Sequence, residues 1–264
     1  MPDIALPWSF LAPLLAALPR VGAAITVAPL FPASLFPRLL RGAVAISLGL
    51  YLYPHMAAHM PASMTPLPWL ALIGKELLIG GLIGFAVGTL VWALESVGRV
   101  IDLQVGFSNS QLFDPFVGGE SSPLGRLMAS LAVTLLVTTG GLQILASLLF
   151  ESFRLWPMQS FYPSTAQLAS FAGNSVQSFA GLVVQLAAPA VLLLALIDIG
   201  FGLLNRVVPQ LNVFFFTMPI KGALAALMIA MYVSHLSDVF VGHLAGLEGW
   251  LKSLEPVLSG SLTR

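Results

Sequence analysis

Six apolar stretches, roughly at 4–30, 39–53, 70–94, 127–150, 179–204 and 211–236, take up most of this 264-residue chain. Most are near the ~20 residues that carry a helix across a bilayer. Only 39–53 is short, unless it extends to Met60. No alternation of period two appears, so strands are not expected. Only 8% of the residues are charged and 58% are hydrophobic, whereas soluble domains carry about 25% charged residues. So few charges cannot cover a water-facing surface. The sequence predicts an all-α membrane protein of about six hydrophobic, proline-kinked helical segments. A net charge of zero removes the electrostatic basis for binding nucleic acid. The absence of cysteine rules out disulfides, thiolate metal sites and a cysteine nucleophile. Asp3 stands where a secretory signal would carry a basic region, so no such signal is expected.

The segments are not plain spans. Pro7, Pro13 and Pro19 interrupt the first, with Arg20 behind them; Lys75 and Glu76 open the third; Pro189 and Asp198 sit in the fifth, Pro219 and Lys221 in the sixth. Each proline removes a backbone donor and is expected to kink or break its helix. Two long polar connections are expected, at roughly 95–126 and 151–178. Counted as loop residues, Arg38, Arg41, Arg99, Arg126 and Arg206 outnumber Arg154, Lys252 and Arg264 on the other side. That excess places both termini outside the cytoplasm.

Gly80, Gly84 and Gly88 share one helix face. Such a row lets another backbone approach closely, from this chain or from another subunit. Glu95, Arg99 and Asp102 fall at i, i+4 and i+7. On a continuing helix they form either an ion-pair row at a membrane boundary or a polar lining for a conduit or partner. Asp198, with Asn205 on nearly the same face and Arg206 within reach, is either a structural ion pair or a proton relay. Lys221 either snorkels to an interface or meets a specific partner. His55 and His59 have metal-ligand spacing but lie between Pro54 and Pro61 with no carboxylate nearby, which reads as loop. There is no H-E-x-x-H, Walker A or G-x-S-x-G motif. No active site, metal site or cofactor is expected.

The segment 104–122 mixes Phe107, Phe113 and Phe116 with glycines, Asn109, Asp114 and Pro115. It is too broken for a helix and too aromatic for an ordinary loop. It is either an interfacial loop dipping into lipid or irregular backbone buried by protein. In Pro209–Lys221, two prolines, Gln210 and Asn212 sit inside apolar sequence. The two amides can bond the backbone groups that the prolines leave free.

Three stretches resemble the SctT/FliR family of type III secretion and flagellar export components. They are Glu95–Asp102 with Gly106, Asp114 and Pro115; Gly140, Gly141 and Glu151–Pro157; and Asn205–Lys221, with Pro209, Gln210, Asn212 and Pro219. The third is the most specific and is more similar to the secretion-system branch than to the flagellar one. The resemblance implies a non-enzymatic component of an export portal in the bacterial inner membrane, partly raised toward the periplasm. It implies hairpins packed in a hetero-oligomeric helical assembly with R-type and S-type partners (SctR, SctS). A U-type switch protein, a V-type export gate protein, secreted substrates and lipid are the further partners implied. It divides the chain into an R-type-like part at 1–178, an S-type-like hairpin at 179–240 and a tail at 241–264. It makes 104–122 a pore plug, with Phe107, Phe113, Asp114, Pro115 and Phe116 as blockers. The competing reading is a proton- or ion-coupled small-molecule transporter using Asp198, Glu76 or Glu95.

Overall fold

A computed structural model describes residues 8–30, 36–57, 66–106, 122–158, 165–209 and 213–252. The described residues form seven helices and no strand: α1 Trp8–Val27, α2 Arg38–Ala57, α3 Pro66–Val105, α4 Pro123–Thr138, α5 Gly141–Leu155, α6 Thr165–Val207 and α7 Val213–Lys252. The all-α expectation holds. Two helices, within 68–105 and 172–207, are long and apolar enough to cross a membrane, or four spans result if each of two broken helix pairs counts as one.

The segment count changes because 127–150 is not one helix. Gly140 adopts a left-handed φ of 85°, which glycine tolerates and other residues resist. The chain turns there, and α5 starts afresh at Gly141. The described prolines do not end their helices. Pro13 and Pro19 lie inside α1, Pro54 inside α2, Pro189 inside α6 and Pro219 inside α7. Apolar surroundings favour keeping the remaining backbone bonds, so a helix tolerates the loss of one donor.

The polar connections are also shorter than expected. α3 runs on through Glu95, Arg99 and Asp102 to Val105, and α6 begins at Thr165. His55 lies in the last turn of α2 rather than in a loop, while His59 falls outside the described residues. Arg38, Arg41, Arg99, Arg126, Arg154 and Arg206 all belong to helices. These charges counted for orientation thus lie on helices and not in loops.

The chain clusters into two compact units. One holds residues 1–89, 136–175 and 243–264; the other holds 90–135 and 176–242. In the first, α1 lies along α2, and Ala16, Ala17, Val21, Ala24 and Ile25 are buried. Gly80 and Gly84 of α3 meet the α1 backbone: a Cβ on Gly84 would stand 2.6 Å from the Ala24 carbonyl oxygen, and one on Gly80 would overlap the Arg20 carbonyl. The close approach that Gly80 and Gly84 permit is thus made to α1 of the same chain. In the second unit Leu90, Leu94, Val97, Ile101 and Val105 are buried at steps of three or four along α3, the seam of a helix buried on one side. Leu186, Ala190 and Leu194 of α6, with Ala225 and Ile229 of α7, are buried in the same unit.

Candidate functional site

Three charged centres lie inside the apolar helices. In the first unit, Arg20, Lys75 and Glu76 are all essentially inaccessible. Arg20 Nε donates to Glu76 Oε2 at 2.5 Å and Nη2 to Oε1 at 3.0 Å, a two-pronged guanidinium–carboxylate pair. The remaining Arg20 donors reach Ser152 Oγ at 3.1 Å and the Trp156 carbonyl at 3.1 Å. Its guanidinium lies 3.8 Å from the Phe153 ring centroid. Lys75 Nζ approaches Glu76 at 3.3 Å and donates to the Pro157 and Met158 carbonyls at 2.9 and 3.1 Å. Two cations thus face one carboxylate. The carbonyls just past the end of α5 turn their partial negative charge to the two cations and so offset part of the excess. This centre ties α1, α3 and the end of α5 together. Its sequence signal was the opposite charges in separate apolar runs, Arg20 in one and Lys75–Glu76 in another; nothing in the sequence paired them.

In the second unit Lys221 of α7 pairs with Asp198 of α6 and donates to the Gln104 carbonyl at the end of α3 at 2.8 Å. Asp198 takes Lys221 as its partner, neither isolated nor paired with Arg206. A cavity of about 410 Å³ opens here, lined by residues that include Gln104, Asp198, Asn205, Thr217 and Lys221. Lys221 is buried at 6% exposure, while the Asp198 side chain is 47% exposed. That asymmetry orders the mutants. Asp198→Ala leaves an enclosed ammonium with only the Gln104 carbonyl, whereas Lys221→Met leaves a carboxylate that borders the cavity and is not enclosed by the protein. Thermal unfolding in detergent is expected to show the larger loss for Asp198→Ala.

Glu95 and Arg99 pair at 2.8 Å on the accessible side of α3. Asp102 departs from that row and is buried at 1% exposure. Its Oδ2 accepts from Ser122 Oγ at 2.6 Å, from Leu124 N at 2.9 Å and from Gly125 N at 3.3 Å. It therefore binds the start of α4, where a helix has unpaired N–H groups and favours negative charge. Of the hairpin residues, Asn205, Arg206 and Pro209 are exposed. Phe107, Phe113, Asp114, Pro115, Phe116, Gln210 and Asn212 lie outside the described residues. Among the described residues, no group of three His, Asp or Glu side chains could hold a metal ion.

A membrane-class all-helical chain whose apolar helices carry internally paired charges is the kind of protein that this fold defines. The sequence model of the bacterial export proteins, family 1, matches residues 11–247, and the chain belongs to that family. It is 35% identical over 230 residues to the Yop proteins translocation protein T of Yersinia pestis, covering 85% of this chain and 88% of that protein. It is 29% identical over 198 residues to the secretion system apparatus protein SsaT of Salmonella typhimurium, covering 74% and 76%. It is 32% identical over 231 residues to the flagellar biosynthetic protein FliR of Escherichia coli, covering 84% and 87%.

Proposed function

We propose that this chain is a component of the core export apparatus of a type III secretion system and helps to form the pore through which proteins cross the bacterial inner membrane. The family match over 11–247 carries the reading. The role is structural and not catalytic. The chain assembles with R-type and S-type partners, near the U-type and V-type components. Residues 1–178 act as the R-type-like part and 179–240 as the S-type-like hairpin. The short connection 208–212 between α6 and α7 supports that division. Residues 104–122 supply the plug, with Phe107, Phe113 and Phe116 forming a dry seal beside Asp114 and Pro115.

Helix length supports a position partly raised from the bilayer. α3 has 40 residues and α6 has 43. At 1.5 Å per residue each is about 60 Å long, twice the ~30 Å hydrocarbon core. α6 also leaves Leu192, Leu196, Ile199, Leu203 and Val207 exposed along one side, a stripe for lipid or for neighbouring chains in the assembly. The transporter reading is weaker. Glu76, Glu95 and Asp198 each have a cationic partner within the chain, which suits structure better than proton relay.

Native mass spectrometry of the tagged chain in mild detergent, with and without co-expressed R-type and S-type partners, tests the proposal. A discrete hetero-oligomer containing this chain is expected. A monodisperse chain that ignores both partners, with a solute flux abolished by Asp198→Asn, would establish the transporter instead.

A further inference from the structure

The joint between α3 and α4 holds more than a helix start requires. α4 already has a local cap: Ser122 Oγ accepts the Gly125 N–H at 3.1 Å, and Pro123 in the first helical position has no donor to satisfy. Asp102 is added to this from 20 residues upstream. The addition is costly. Its Oδ1 is buried and has no hydrogen-bond partner among the described residues, and a buried unpaired acceptor opposes folding.

Two glycines are spent at the same place. A Cβ on Gly98 would stand 2.5 Å from the Leu124 carbonyl oxygen and 2.7 Å from Gly125 Cα; one on Gly125 would meet Ser122 Oγ and stand 2.9 Å from Arg99 Cγ. The two backbones therefore cross in contact where α4 begins, about two turns before α3 ends. A third glycine, Gly106, ends α3 at φ 98°, with its N–H on the Asp102 carbonyl at 3.0 Å, the left-handed stop common at helix ends. Residue 102 thus engages the end of α3 through its backbone and the start of α4 through its side chain.

We propose that Asp102 is a positioning residue that clamps the two ends of the 107–121 connection to each other. Ser122 Oγ caps only the Gly125 N–H, and the carboxylate also takes the Leu124 N–H. What it alone supplies is a bond across the connection, from residue 102 to residues 122–125. The connection therefore leaves and re-enters the fold at one fixed point. The bonds to Oδ2 are charge-assisted, so the clamp weakens in steps when charge and then acceptor are removed. The clamp itself rests on this geometry; its consequence for the seal of the pore rests on the export reading above.

The test uses the full chain co-expressed with its R-type and S-type partners and carrying Asp102→Ala, Asp102→Asn, or Asp102→Cys with Ser122→Cys. The chain has no native cysteine, so within it the engineered pair can bond only with itself, and gel mobility separates that bond from a cross-link to another chain. Amide exchange at Leu124 and Gly125 and ion leak through the reconstituted complex are read together. Asp102→Ala is expected to speed exchange by about tenfold or more and to raise the leak at unchanged complex yield, with Asp102→Asn in between. Oxidising the cysteine pair is expected to return the leak to the level of the unsubstituted chain, and reducing it to restore the leak.

Unchanged exchange in Asp102→Ala overturns the clamp. Faster exchange without leak overturns its positioning role and leaves a plain helix cap. If Asp102→Ala fails to assemble, the oxidised and reduced forms of the cysteine pair decide; equal leak in both overturns the proposal. Failure of the unsubstituted chain to join its partners would sink the export reading, while exchange at Leu124 would still decide the clamp.

Discussion

Glu76→Ala is expected to be among the most destructive single substitutions in this chain. It would leave Arg20 and Lys75, both almost wholly enclosed, without the carboxylate they share. Removing one partner of a buried ion pair costs about 3–5 kcal/mol, a large part of the stability of an ordinary domain. Loss of folded protein in detergent, followed by size-exclusion chromatography and thermal unfolding, is the expected result. The cost should be far from additive. Replacing Arg20, Lys75 and Glu76 together by methionine removes every charge, and a well-packed apolar replacement of a buried ionic group is often neutral. The triple variant should therefore unfold at a higher temperature than Glu76→Ala alone. Similar instability in both would mean that the shape of the cluster, and not its charge balance, holds the first unit.

Gly84→Val is expected to pry α1 from α3. Its Cβ would fall 2.6 Å from the Ala24 carbonyl oxygen and 2.9 Å from Val27 Cβ, and a backbone carbonyl cannot swing aside as a flexible side chain can. Overpacking of this kind costs about 3 kcal/mol. Gly80→Ala meets the Arg20 carbonyl, so it should also disturb the guanidinium that Glu76 holds. Gly74→Ala and Gly81→Ala are the controls, because nothing lies within 4 Å of either Cβ. Alanine there should be tolerated and can add up to about 1 kcal/mol through helix propensity. Thermal unfolding of the four variants checks the contrast. Equal behaviour of Gly84→Val and Gly81→Ala would show that α1 does not pack on this row.

These two centres mark how far the residues could be read without coordinates. Gly80 and Gly84 announce a close approach by their spacing alone, since only small side chains admit a second backbone. Which backbone arrives is a matter of tertiary placement. Arg20 and Glu76 are conspicuous in apolar sequence because a lone charge there is expensive. Their pairing across 56 residues has no local signal. Asp102 was placed in a row with Glu95 and Arg99 by helical periodicity. α3 does continue through all three, yet the carboxylate turns to the start of α4, where the Leu124 and Gly125 N–H groups and the Ser122 hydroxyl attract an acceptor more strongly than an exposed arginine does.

Composition and run length, by themselves, determined that this is an all-helical membrane protein, because a chain with so few charges must hide its backbone bonds within helices. Sequence similarity determined its family. Tertiary structure alone decided that Gly140 splits one apolar run, that Pro189 and Pro219 lie inside helices, and which charge meets which. The reason is physical. Hydropathy is a property of each residue and survives in the sequence, whereas the pairing of a buried charge depends on where distant segments cross, and that is settled only when the helices pack.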